Sequence, residues 1–255
     1  MSPPGYDRLT VGEAEALVLS AARGWLETVL GADLTVHGWA GAEPGAQHLT
    51  GRGTVYSVGA PREGPDKRAR WAVRHYRRGG AIAAYLDDRY LIGGQTRPER
   101  EIRASVEARA RGVPTPAVVA GAWYRSGLFY RADLVTELIP DALSLAEALF
   151  GRERPAARRD LLRRAGRLVA ELGRTGVVHA DLNAMNVLVA PGDSESSTHV
   201  IDLDRAWVAE EGQSGYGDVM LRRLKRSLAK LGDESGEPLS DAAWSALDAG
   251  FEDAP

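Results

Sequence analysis

The hydrophobic period of this chain changes once, near Pro140, and that switch limits the folds open to it. Upstream, β-branched and alternating stretches dominate: "LTVHGWA", "HLTGRGTVYSVGA", "ARWAVRHYR" and "VPTPAVVAGAWYRSGLFYRADLVTELIP". Glycines and the Pro-rich "APREGPDK" separate them, as in an antiparallel meander. Downstream, residues 142–175 are rich in Ala, Leu and Arg, with Leu161, Leu162, Leu168, Val169 and Leu172 on one helical face. A chain of 255 residues can bury a core in each half. The expectation is an α+β protein of two lobes, residues 1–139 β-rich and residues 140–255 α-rich. For such a pair of lobes, a ligand site at the junction is expected.

Two helices are expected within the β-rich half. Residues 10–30 place Ala14, Leu17, Val18, Ala21, Ala22, Trp25 and Leu26 at helical spacing, stopped by Gly31. Residues 98–111, "PEREIRASVEARAR", read as a charged helix with Pro98 in its first turn and Gly112 at its end. In the second half, "NVLVA" and "THVIDLD" read as short strands joined by a Gly/Ser loop. Residues 217–232 are helical again, and the tail is polar.

Composition excludes several chemistries. The chain has no cysteine, so disulfides, thiolate metal sites and cysteine nucleophiles are out. A formal charge of −3 gives no bulk attraction to nucleic acid, and none is expected as a partner. Lys occurs only at 67, 225 and 230, so 29 of the 32 basic residues are Arg and an acidic ligand would meet guanidinium groups. The start "MSPPGYDRLT" lacks the basic and apolar regions of a signal peptide. No run of 18 apolar residues occurs. The expectation is a cytoplasmic protein, with surface attachment to a membrane left open.

The chemistry concentrates in "HADLNAMN" (179–186), a polar segment between the apolar runs "GVV" and "VLVA". A hairpin of strands 187–190 and 198–201 would hold this loop before its first strand and Asp202 after its second. Asp181, Asn186 and Asp202 then offer hard oxygen ligands and a base, a set that suits Mg²⁺ shared with phosphate and water. An Asx-rich turn would explain "D-x-x-x-x-N" alone; the added "ID" favours phosphoryl transfer.

This pattern resembles the protein-kinase-like superfamily, whose catalytic loop reads H-x-D-x-x-x-x-N and whose later Asp binds metal. The resemblance implies a two-lobed kinase fold, with Asp181 as the base that accepts the substrate hydroxyl proton. Asn186 and Asp202 would hold Mg²⁺, and His179 would brace the loop. Asp204 competes with Asp202, since "DLD" offers two carboxylates and departs from the superfamily's D-F-G. In the first half, Gly51 and Gly53 of "GRGTVYSV" would approach ATP phosphate, with Tyr56 at the third glycine. Val58 would cover the adenine ring. Arg74 of "WAVR" stands where the superfamily carries Lys, and Glu101 is its expected partner, with Glu99 and Glu107 as alternatives.

A closer resemblance is to the 3-deoxy-D-manno-octulosonic acid (Kdo) kinases of the lipopolysaccharide kinase family. It rests on "RHYRRGG" (74–80), "DRYLIGG" (88–94), "GLFYRADLVTELIP" (127–140), "VVHADLNAMNVLV" (177–189), "VIDLDRA" (200–206) and "LRRLKRSLAKL" (221–231). It implies ATP-dependent phosphorylation of a Kdo hydroxyl on a lipid A precursor, at the cytoplasmic face of the inner membrane. The partner would then be an anionic sugar-lipid acceptor, with peripheral contact to that membrane. Tyr76, Arg77 and Arg78 could meet its carboxylate or phosphates, or form a basic turn in solvent. "LRRLKRSLAKL" could lie on anionic lipid, or be a core helix with a wet polar face. The alternatives are a heptose kinase, an aminoglycoside phosphotransferase-like enzyme, or a pseudokinase binding module; an Arg-rich acceptor region disfavours a polycationic antibiotic.

Overall fold

The computed structural model describes residues 2–49, 55–61, 69–77, 88–151, 158–191, 198–210 and 215–254. They divide into two compact units, residues 1–103 with 117–138, and residues 104–116 with 139–255. Gly51, Gly53, Lys67, Arg78, Gly79 and Gly80 lie outside the described residues.

The first unit is built on one antiparallel sheet. Its strands are β1 (Tyr6–Val11), β2 (Ala14–Leu19), β3 (Gln47–Leu49), β4 (Val55–Gly59), β5 (Arg70–His75), β6 (Tyr90–Leu91), β7 (Val118–Ser126) and β8 (Phe129–Glu137). They run in the order β1-β2-β7-β8-β5-β4-β3, with β6 also paired to β8. Only Arg23–Gly31 (α1) of the helix expected over 10–30 is α-helical; Ala14, Leu17 and Val18 lie in β2. Ala16, Leu17 and Val18 are all buried. A strand enclosed on both faces is a continuous apolar run, and its spacing also fits a helix. The stretch "LTVHGWA" is likewise corrected from strand to helix, as α2 (Val36–Ala42). The Thr35 hydroxyl accepts the Gly38 N–H at 3.0 Å and starts that helix, a cap that outweighs its β-branched neighbours.

Helices α1 and α2 pack on one sheet face around Leu26, Leu30, Val36, Ala40, Val58 and Val73. Cross-strand partners share a face. Val58 pairs with Trp71 and Tyr56 with Val73, whereas Val55 pairs with Arg74 and Ser57 with Ala72. Val58 and Arg74 therefore lie on opposite faces. The next helix, α3 (Arg97–Ala110), begins with a capping box in which Thr96 and Glu99 exchange side-chain and backbone hydrogen bonds. Its first turn approaches β7 closely: a Cβ on Gly121 would sit 2.6 Å from the Pro98 Cβ. Glycine at 121 thus sets how near the helix, and Glu101 on it, lies to the sheet.

The second unit holds α4 (Leu145–Phe150), α5 (Arg158–Arg174), α6 (Tyr216–Ser235) and α7 (Asp241–Glu252). Two small antiparallel ladders accompany them: β9 (Leu143–Ser144), β11 (Val187–Val189) and β12 (Thr198–Val200), and β10 (Val177–His179) with β13 (Ala206–Val208). Leu161, Leu162, Leu168, Val169 and Leu172 of α5 face the core with Leu221, Leu224 and Leu228 of α6. The polar tail contains a helix that its composition hides, α7, capped by Ser240. It touches α5 backbone to backbone, since a Cβ on Gly250 would lie 2.0 Å from the Arg163 carbonyl oxygen. Among the described residues no helix is long and apolar enough to cross a membrane.

Candidate active site

In the second unit the loop 179–186 is held from within and from beneath. The Nδ1 atom of His179 accepts the Asp181 N–H at 3.2 Å, so Nε2 carries the proton and donates it to the Ile201 carbonyl at 3.1 Å. One imidazole thereby ties the start of the loop to the end of the β11–β12 hairpin. Burial lowers the His179 pKa, against the pull of the Ile201 carbonyl and the charges of Asp202, Asp181 and Asp204. A neutral ring is the form this bonding pattern requires.

Asn183 and Asn186 complete the turn. Both side-chain amides donate to the Asp181 carbonyl, at 2.8 and 3.1 Å, and the Asn183 side-chain oxygen accepts the Met185 N–H at 2.9 Å. Asn183, which the sequence reading leaves without a role, is therefore the pin of the turn. With Nδ2 of the buried Asn186 committed to Asp181, its Oδ1 is the end left to act as a hard oxygen donor. The Asp181 side chain is exposed.

Helix α6 supplies the platform. The Arg223 guanidinium donates to the Ala180 carbonyl, and the Ser227 hydroxyl accepts the Ala184 N–H at 3.2 Å. Met220 offers its sulfur to the His179 N–H at 3.3 Å. "LRRLKRSLAKL" is thus a core helix whose polar face carries the loop, rather than one that is simply wet. Arg223 and Ser227 stand four apart on one face, but that spacing is too common on helices to have marked them in the sequence.

Asp202 follows β12 in the left-handed region, with φ of 65°. A non-glycine residue there is strained, and such strain collects at functional positions. Asp204 is buried and starts the 3₁₀ turn Leu203–Arg205. Among the described residues no group of three or more His, Asp or Glu side chains could hold a metal. Asn186 and Asp202 would instead give a cation two protein oxygens, which fits Mg²⁺ completing its shell with phosphate and water.

In the first unit Arg74 meets Glu101, not Glu99 or Glu107. Its Nη2 lies 2.6 and 2.5 Å from the two Glu101 carboxylate oxygens. Glu99 pairs with Arg8, and Glu107 with Arg111. The Tyr76 hydroxyl also donates to Glu101, at 2.5 Å, and the Arg74 guanidinium carbon stands 4.6 Å from the Tyr76 ring centroid. Tyr76 is 2% exposed, which removes it from the surface where acceptor contact was expected; Arg77 is exposed. Val58 is also corrected. It is 1% exposed, inside the α1/α2 core and on the face opposite Arg74, so it offers no surface to an adenine ring.

On the α2 side of the same strand, His75 bonds Asp133 through Nδ1 at 2.6 Å and Asp88 through Nε2 at 3.1 Å. Asp133 also accepts the N–H of His37 in the first turn of α2 and the Tyr124 hydroxyl, both at 2.9 Å. Strand β5 is held on both faces, by Glu101 on one and by Asp133 on the other.

An antiparallel sheet with a strand arginine paired to a helix glutamate, and a helical unit with this loop and hairpin, define a protein-kinase-like phosphotransferase acting on a hydroxyl. The sequence model of the Lipopolysaccharide kinase (Kdo/WaaP) family matches residues 38–251. A 3-deoxy-D-manno-octulosonic acid kinase of Vibrio vulnificus (strain YJ016) is 33% identical over 205 residues, covering 80% of this chain and 81% of that one. The enzyme of that name in Xanthomonas oryzae pv. oryzae (strain PXO99A) is 38% identical over 192 residues, covering 73% and 71%. A solved structure of WaaP in complex with acyl carrier protein superposes with a TM-score of 0.50 at 17% identity, over 90% of this chain and 87% of that one. The chain belongs to the lipopolysaccharide kinase (Kdo/WaaP) family.

Proposed function

We propose that this chain is a Kdo kinase of lipopolysaccharide core biosynthesis. It transfers the γ-phosphoryl group of ATP to a hydroxyl of Kdo on a lipid A precursor. The observation that carries this reading is the family match across residues of both units, together with a loop in which Asp181 and Asn186 share one set of hydrogen bonds.

The acceptor oxygen attacks the γ-phosphorus, the bond to the departing ADP breaks, and Asp181 takes the hydroxyl proton. Such a transfer depends on positioning and charge neutralisation more than on covalent help. Mg²⁺, held by Asn186 and Asp202, would supply part of that neutralisation. Arg74, fixed by Glu101, meets the nucleotide phosphates. Arg77 supports an anionic acceptor through its exposed charge. The work is done at the cytoplasmic face of the inner membrane through peripheral contact, where a lipid-linked acceptor is presented.

Incubation with ATP, Mg²⁺ and a panel of Kdo-, heptose- and aminoglycoside-bearing acceptors, read by mass, tests the assignment. A gain of one phosphoryl group on the Kdo acceptor alone is the expected result. Phosphorylation of heptose or aminoglycoside in its place would overturn the substrate, and no transfer to any acceptor would overturn the catalytic reading.

A further inference from the structure

We propose that Tyr76 is a positioning residue for the transfer reaction: its ring fixes the plane of the Arg74 guanidinium, which lets an arginine stand where the superfamily carries lysine. The inference rests on the reading of Arg74 as the cation that meets the nucleotide phosphates.

Both bonds from Arg74 to Glu101 leave from the same nitrogen, Nη2. A fork that uses two nitrogens holds a guanidinium in plane with the carboxylate, whereas one nitrogen fixes an end and leaves the plane to swivel about the Cζ–Nη2 axis. The missing restraint comes from the face. Tyr76 and Arg74 are two residues apart along an extended chain, so both point to the Glu101 side of the sheet. The Arg74 guanidinium carbon lies 4.6 Å from the Tyr76 ring centroid, within cation–π range.

The ring itself cannot drift. Its hydroxyl is tied to Glu101 at 2.5 Å, and the residue is buried. The Arg97 guanidinium also approaches the ring, 5.4 Å from its centroid, and is anchored by donating to the Tyr90 hydroxyl at 2.9 Å. One phenol thus touches both members of the ion pair, the carboxylate by its oxygen and the guanidinium by its face. A tyrosine that only filled the core would need neither contact. An ammonium has no plane to fix, so a lysine at 74 would meet Glu101 but gain nothing oriented from Tyr76.

Four variants with a stability control test this: Arg74→Ala, Tyr76→Phe, Tyr76→Leu, and Arg74→Lys made in both the wild-type and the Tyr76→Leu chain. Nucleotide affinity is read directly by calorimetric titration of ATP·Mg²⁺, and KM for ATP and kcat are read separately. Tyr76→Leu should raise KM for ATP by about 5- to 30-fold, the range of a partly desolvated cation–π contact, with a smaller change in kcat. Tyr76→Phe keeps the face and should recover most of that loss. Arg74→Lys should weaken ATP in the wild-type chain yet add little in the Tyr76→Leu chain, because the two changes remove one shared interaction.

Lowered thermal stability in Tyr76→Leu with an unchanged KM would reduce Tyr76 to a core filler, and so would equal effects of Phe and Leu or strict additivity with Arg74→Lys. If Tyr76→Leu does not fold, Tyr76→Met fills the same volume without a ring and is judged by the same outcomes. Arg74→Ala separates the two levels. If it raises KM while the Tyr76 variants do not, this inference alone fails. If it leaves ATP binding untouched, the phosphate-binding reading of Arg74 falls, and the positioning role falls with it.

Discussion

Asn186 donates its side-chain amide to the backbone carbonyl of Asp181 at 3.1 Å, so the proposed metal ligand and the proposed base belong to one hydrogen-bonded turn. Position and chemistry can still be separated by substitution. Asp181→Asn keeps the shape and the backbone carbonyl but cannot accept a proton. It should lower kcat by about 10²- to 10⁴-fold while ATP affinity holds. Near-wild-type turnover in the purified variant would remove Asp181 from the base role.

Asn183 and Asn186 should part ways in a magnesium titration. Asn183→Ala loses the bonds to Asp181 and Met185, each worth roughly 0.5–1.5 kcal/mol net, so kcat should fall about 5- to 100-fold with the metal midpoint unchanged. Asn186→Ala removes an oxygen donor as well, and its magnesium midpoint should rise. Identical metal titrations for the two variants would contradict the ligand role of Asn186.

Arg223 reaches the Ala180 carbonyl from α6, one residue before the base. Arg223→Met keeps much of the side-chain length and loses the donor. A hydrogen bond from a charged group is worth about 1.5–3 kcal/mol, so kcat should drop roughly 10- to 100-fold. ATP affinity, measured by titration, should stay within error. A loss confined to ATP binding would mean that α6 does not act through the loop.

Much of this arrangement was legible in the sequence because it is written in local pattern. The helix over 98–111 announced itself by Pro98 and Gly112, and the α5 face by the spacing of five apolar residues. "HADLNAMN" with "VIDLD" marked the loop and the hairpin, since few folds need so many Asx residues between buried strands. What stayed hidden depends on contacts distant in sequence. Ala14–Leu19 reads as helix until the burial of both its faces is known. Val58 fits an adenine-covering position by order along the chain, but the β4–β5 register turns it to the α1/α2 side. Tyr76 looks like part of an exposed basic turn, although Glu101, 25 residues away, draws its hydroxyl inward.

Packing between α5 and α7 gives a stability test away from the chemistry. The would-be Cβ of Gly250 meets the Arg163 carbonyl oxygen at 2.0 Å and the Arg163 carbonyl carbon at 2.8 Å, and backbone atoms cannot rotate aside. Gly250→Ala must push the helices apart and open the contact on which Gly166 also depends. Overpacking of this kind costs about 1–3 kcal/mol. Urea denaturation should show that loss, and a midpoint equal to wild type would mean the helices are not in such close contact.

Two histidines give opposite pH dependences of stability. Burial lowers the His179 pKa, so the unfolded chain takes up that proton first on acidification. The stability His179 confers is present at neutral pH and falls as pH drops below about 6.5 toward the folded value. Burial would lower His75 too, but the hydrogen bonds and charges of Asp133 and then Asp88 outweigh it and raise the pKa. The stability His75 confers is complete below about pH 6.5 and is lost as pH rises through the raised folded value. Arg131 also pairs with Asp88, at 2.9 Å, and keeps that carboxylate ionised when His75 is neutral. The stability gap between wild type and His75→Gln should therefore widen on acidification from pH 8 to about 6.5, while the gap to His179→Gln should narrow as pH falls below about 6.5. Urea midpoints of the three proteins across that range check both trends, and parallel curves would show that neither proton is linked to folding.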